Sequence, residues 1–133
     1  MSKPRYEIVA ACIVRDHQVL AVQRGYGGYR GWWEFPGGKI EPGETHEEAL
    51  ARELFEELDA TISVQEYLMT VDYEYPEFFL RMNCYLCSLD SSFTLNEHQD
   101  ARWLGLDNLY SVKWLGADAD VLKALEPKLT NPC

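Results

Sequence analysis

Gly37 to Ala60 reads GGKIEPGETHEEALARELFEELDA and packs seven glutamates between Glu41 and Glu57 behind a Gly-Gly-Lys loop. Apart from His46, Arg52 is the only basic residue that follows Lys39 in this stretch. Thr45 followed by Glu48 forms a capping box, so the sequence predicts a helix beginning there. Leu50, Leu54 and Leu58 recur every fourth residue and mark one apolar stripe, which Ala51 and Phe55 are expected to widen. Glu53, Glu56 and Glu57 stand at i, i+3 and i+4 and so share another face within one turn. Like charges this close repel unless a cation sits among them, and a hard divalent ion with oxygen ligands suits such a cluster. A solvated acidic face is the usual explanation for a Glu-rich helix. It leaves the loop unexplained. Gly37, Gly38 and Gly43 permit tight turns, and Pro42 stiffens the approach to the helix. A glycine loop running onto a carboxylate-bearing helix can hold phosphates beside metal ions.

The spacing itself resembles a known pattern. Gly38, five residues, Glu44, seven residues, Arg52-Glu53-Leu54, one residue, Glu56-Glu57, one residue, Asp59-Ala60 is similar to the Nudix box. The pattern has glycine where this chain has Asp59, and a larger aliphatic residue where it has Ala60. Glycine there ends the helix in a left-handed conformation, which aspartate tolerates better than most residues. The segment Trp33 to Glu41, WEFPGGKIE, looks closest to the MutT and CTP-pyrophosphohydrolase branch of that family.

The resemblance implies an α/β fold, an α/β/α sandwich around a mixed sheet, with the whole chain, 1–133, as one Nudix hydrolase domain and the box at 38–60. It implies Mg²⁺ as cofactor, with Mn²⁺ as an alternative, and hydrolysis of a nucleoside triphosphate to monophosphate and pyrophosphate. Glu53, Glu56, Glu57 and the Gly38 carbonyl would then ligate metal, and Arg52 would orient Glu53. Glu44 would tie loop to helix. Glu97 would be a further ligand or base. Arg24 and Lys39 would contact phosphates, Asp118 would read the base, and Phe35 and Phe78 would wall its pocket. The same box also occurs in enzymes acting on ADP-ribose, nucleotide sugars or dinucleoside polyphosphates, and in non-catalytic nucleotide-binding domains. For Asp118 a second role, helix N-cap, is open on sequence alone. For Phe35, Phe78, Trp32 and Trp33 the second role is core packing.

The rest of the chain fits a globular enzyme. Hydrophobic residues make up 47% and charged residues 26%. No run is long and apolar enough for a membrane helix, and the N-terminus lacks a signal peptide's plan, which points to the cytoplasm and to no membrane partner. A net charge of -10 argues against nucleic-acid binding but not against a phosphorylated small molecule, because bound metal reverses the local sign. The oligomeric expectation is monomer or homodimer. Cys12, Cys84, Cys87 and Cys133 read as ordinary thiols. Cys84 and Cys87 fall three apart in a strand, hence on opposite faces.

In chain order, strands are expected at Tyr6 to Val14 and Val19 to Arg24, joined by a turn at Arg15 to Gln18 with His17 in it. A flexible loop, Gly25 to Gly31, and then Trp32 to Pro36 lead into the glycine stretch. His46 should be an exposed first-turn residue. Thr61 to Glu74 and Phe78 to Leu89 form a hairpin about Tyr75-Pro76-Glu77. Leu95 to Leu104 is a loop carrying Glu97 into a short strand, and Asp107 to Ser111 is a turn or short helix. Ala117 to Leu125 has helical spacing, with Pro127 closing it.

Overall fold

β1 (Arg5–Arg15) is the strand to which the others are fitted, and its alternation shows why. Val9, Ala11 and Ile13 point to one face and Ala10 and Cys12 to the other, all essentially without solvent exposure. Both faces are therefore covered, which is why the segment reads as a continuous apolar run. The computed structural model describes residues 3–130. Its further elements are β2 (Gln18–Arg24), β3 (Trp33–Glu34), β4 (Gly37–Lys39), α1 (His46–Leu58), β5 (Ile62–Glu74), β6 (Phe79–Leu89), β7 (His98–Leu104), α2 (Gly116–Ala119) and α3 (Leu122–Leu129).

β1 pairs in parallel with β6 and antiparallel with β4 and β2, so the sheet is mixed. β4 takes the N-terminal part of β1, at Ile8↔Lys39, and β2 its end, at Val14↔Val19. Between them Ala11 N donates to the Pro36 carbonyl at 2.8 Å. β5 and β6 form the expected hairpin, and β2 also pairs with β3 and β7.

On one face, α1 sets Ala49, Leu50, Leu54 and Leu58 against Val9, Ala11, Ile13 and Leu20. Each leucine contributes about 1.5–3 kcal/mol by leaving water. On the other face, Leu122, Leu125 and Leu129 of α3 pack with Ala10, Cys12 and Met82. This is the α/β/α arrangement expected from the sequence. Cys84 lies in one core and Cys87 in the other, both free, with their thiols pushed up to about 12 by burial. Cys133 lies outside the described residues. Among those residues no helix is long and apolar enough to cross a membrane.

Four details depart from expectation. Ala51 and Phe55 do not widen the leucine stripe; Phe55 is 60% exposed, because the stripe advances through Ala49 instead. Two short strands, β3 and β4, occupy what reads as loop. His46 is half-buried, with Nδ1 2.7 Å from the Tyr85 hydroxyl. The last helix is split in two. Val121 N bonds the Asp118 carbonyl three residues back, a tightened turn that ends α2, and Pro127 lies inside α3 and does not close it. Buried Leu129 carries the helix past the proline.

Candidate active site on the glutamate helix

The helix starts as the capping box predicts. Glu48 N donates to Thr45 Oγ1 at 3.1 Å, and Thr45 N to Glu48 Oε1 at 2.9 Å. It ends at Asp59 with φ 51° and ψ 32°, the left-handed conformation reserved for glycine in the box pattern. Arg52 is the hub between loop and helix. Its Nε and Nη2 donate to the two oxygens of Glu44 at 2.7 and 2.9 Å, a fork on a carboxylate. Nη1 reaches Glu53 at 2.9 Å and Glu56 at 3.2 Å, and Nη2 also donates to the Lys39 carbonyl at 2.9 Å. The guanidinium holds Glu44 down to about 2, with help from the Glu41 backbone.

The glycines matter because the helix crowds one and β1 the other. A Cβ on Gly38 would collide with the Glu53 carboxylate, and one on Gly37 with the Val9 carbonyl. Gly37 N donates to Glu57 Oε2 at 3.1 Å. Glu57 is only 9% exposed, and burial, then the charges of Glu34 and Glu53, push its carboxyl up to about 9. Glu53 is raised as well, by burial against the pull of Arg52. Glu56, in contrast, is exposed.

Glu97 is forty residues from Glu57, and hydrogen bonds to the end of the helix bring it there. The last carbonyls of a helix have no partner within it. Here Glu56 O accepts Asn96 Nδ2 at 3.0 Å, Glu57 O accepts Asn96 N at 3.1 Å, and Leu58 O accepts Thr94 N at 2.7 Å. The following residue, Glu97, then adds to the raised pKa of both Glu53 and Glu57.

Beside this cluster opens a cleft of about 750 Å³. Arg24, Lys39, Phe35, Phe78 and Asp118 all line it, together with Gly38 and Glu57. Lys39 lies with Nζ 4.3 Å from the Tyr6 ring centre, and Phe35 packs on Trp114 at 4.7 Å. Asp118 is not an N-cap. Leu115 holds that position in α2, and Asp118 is buried inside the helix, where its Oδ1 accepts Phe35 N at 2.9 Å. Burial, and then Glu34, raise its carboxyl well above the ordinary range. Sequence reading missed three residues here. Tyr75 is buried in the cleft wall and its hydroxyl accepts Ala117 N at 2.9 Å. Glu34 and His98 bond each other at 3.0 Å beside Arg24. The Glu34 signal was present, as a charge set among Trp33, Phe35 and Pro36.

Among the described residues no three such side chains already converge as a ligand set, since Arg52 holds Glu53 and Glu56 while Gly37 holds Glu57. The donors nonetheless fit a hard cation. They are all oxygen, and a carboxylate as buried as Glu57 is costly to ionise without one.

The NUDIX domain family model matches residues 5–125. The CTP pyrophosphohydrolase of Escherichia coli is 33% identical over 120 residues, 89% of this chain and 89% of that protein. The 8-oxo-dGTP diphosphatase of Proteus vulgaris is 38% identical over 88 residues, 65% of this chain and 79% of that protein. The crystal structure of a MutT NUDIX hydrolase from Burkholderia pseudomallei superposes with a TM-score of 0.84 at 26% identity, covering 92% of this chain and 99% of that one. The chain therefore belongs to the Nudix hydrolase family, on its MutT-like side.

Proposed function

We propose that this protein hydrolyses a nucleoside triphosphate to nucleoside monophosphate and pyrophosphate, with Mg²⁺ as its working cation and Mn²⁺ as a substitute. One observation carries the reading. A buried glutamate, Glu57, is hydrogen-bonded to a glycine loop in the wall of a cleft that Phe35, Phe78 and buried Asp118 also line. One cavity thus combines groups suited to a phosphate and its cation with groups suited to a base.

In this reading water attacks the β-phosphorus and the bond to the α-side bridging oxygen breaks. The monophosphate departs, and pyrophosphate keeps the oxygen from water. Glu53, Glu56, Glu57, Glu97 and the Gly38 carbonyl would hold a divalent cation, which would supply charge neutralisation at the phosphoryl oxygens. Arg24 and Lys39 bind phosphate oxygens. Arg52 fixes the rotamers of Glu44 and Glu53, as its fork on Glu44 supports. Glu53 or Glu97 accepts the proton from water. Phe35 and Phe78 pack on the base, and Asp118 hydrogen-bonds its edge. The relatives named for CTP and for 8-oxo-dGTP direct attention to those two substrate types.

The test is a panel of CTP, dCTP, UTP, dGTP, 8-oxo-dGTP, ADP-ribose and a nucleotide sugar, with and without Mg²⁺. Pyrophosphate, released from a triphosphate only with the cation present, is expected. Orthophosphate as the product, or turnover of ADP-ribose alone, would overturn the reading.

A further inference from the structure

Glu34 stands outside the glutamate helix, yet three strands close on it. It ends β3, pairs with Val22 across β2, and divides its two oxygens between different partners. Oε1 accepts Arg24 Nη1 at 3.1 Å, and Oε2 lies 3.0 Å from His98 Nε2. The Arg24 side chain is anchored at a second point, where Nε donates to the Gly28 carbonyl at 3.0 Å.

The His98 side chain is only 4% exposed, and its Nδ1 is buried with no partner among the described residues. A buried ring with one polar contact takes its orientation from that contact. When Nε2 donates to Glu34, Nδ1 is left as a buried acceptor without a partner, so the Glu34 contact alone fixes the ring.

Two further facts connect this pair to catalysis. His98 follows Glu97 directly and is the cross-strand partner of Arg24, at an irregularity in the β2–β7 register. Gly25 packs against the same segment so closely that a Cβ there would sit 2.9 Å from Glu97 O. Between them lies a small cavity of about 60 Å³ lined by Arg24, Glu34, Glu57, Glu97 and His98.

We propose that Glu34 is a positioning residue that fixes two parts of the site at once, Arg24 through one oxygen and the Glu97 segment through His98 with the other. This rests on the triphosphate reading above. It assigns Glu34 no contact with the reacting atoms. A plain ion pair would contribute to folding alone. A positioning residue instead shows two separable kinetic losses, because one arm holds a phosphate-binding side chain, Arg24, and the other the segment of a cation ligand, Glu97.

The experiment compares Arg24→Ala, His98→Ala, Glu34→Ala, Glu34→Gln and the double variant Glu34→Ala/His98→Ala. Arg24→Ala should raise KM about tenfold with kcat changed little. His98→Ala should lower kcat about tenfold at constant KM and weaken binding of Mn²⁺ alone severalfold. Glu34→Ala should show both losses together. Adding His98→Ala to it should then change kcat by less than about twofold, since the arm is already cut. Glu34→Gln keeps an acceptor for Arg24 but turns an NH2 toward the donating His98 Nε2, so it should recover KM while kcat stays low. If the two losses in the double variant simply multiply, or if Glu34→Ala leaves KM, kcat and Mn²⁺ affinity as in the wild type, the proposal is wrong. Should Glu34→Ala not fold, Mn²⁺ affinity in His98→Ala decides, and unchanged affinity overturns the Glu97 arm. A wild type inactive on every triphosphate would instead refute the functional reading, while the Mn²⁺ titrations still judge the positioning role.

Discussion

Glu57 sits where a carboxylate is least at ease, buried and beside two others. Its folded pKa, up to about 9, lies far above the unfolded value of about 4.3. A group raised in this way contributes stability fully below its unfolded pKa, and loses it as pH rises through the folded one. In metal-free protein the Glu57 contribution should therefore decline between about pH 4 and pH 9. Glu57→Gln replaces it with a neutral isostere. Melting curves in chelator should show the variant overtaking the wild type by several degrees at the alkaline end, and parallel curves would contradict this. With Mg²⁺ the same variant should lose roughly three powers of ten in kcat, for want of a metal ligand. Asp118 is a second buried carboxyl with a raised pKa, again by burial first. Its Oδ1 is taken by Phe35 N, so in the proposed function Oδ2 would meet the base. Protonated, Oδ2 donates; ionised, it only accepts. The CTP to UTP ratio of kcat/KM should then vary with pH in the wild type, at pH values above the ordinary carboxylate range. In Asp118→Asn, which cannot titrate, the ratio should be flat. The same pH profile in both proteins would remove Asp118 from base reading.

At the scale of elements, the end of α1 does two jobs. Its free carbonyls are capped by Asn96 and Thr94, and that capping carries Glu97 to the cluster. Asn96→Ala should cost about 1 kcal/mol of stability. It should also lower kcat severalfold with KM held within about twofold, as steady-state kinetics and melts on one preparation can show. A variant with normal kcat would mean that Glu97 is placed by its strand alone. The same helix shows what the sequence could reveal. Its start, its leucine stripe and its left-handed exit are local properties of adjacent residues, so they were readable. That Ala51 and Phe55 face solvent was not, because a stripe's width depends on what it packs against. β3 and β4 span two and three residues, too short to show any period. The pairing of Glu34 with Arg24 and His98 depends on those strands, and so it was invisible. The split between α2 and α3 was hidden by continuous apolar spacing across it. The pairing of the two long strands as a hairpin and the opposite facing of Cys84 and Cys87 were legible, but the two irregularities in the hairpin's register, at Val64/Glu66 and Tyr67/Met69, were not.

For the whole molecule, the mixed sheet brings together residues far apart in sequence. The loop before β4, the helix after it and the short α2 meet at one cleft, and the start of β7 lines the small cavity that shares Arg24, Glu34 and Glu57 with it. A chain of net charge -10 concentrates its carboxylates at that meeting point, and only a cation can make such a site welcome a polyphosphate. The proposed function requires cation-dependent attack at the β-phosphorus. Hydrolysis of CTP in ¹⁸O-water with Mg²⁺ tests it most directly. Mass spectrometry should find the label in pyrophosphate and none in CMP. Label in CMP, or release of orthophosphate with CDP, would contradict the account.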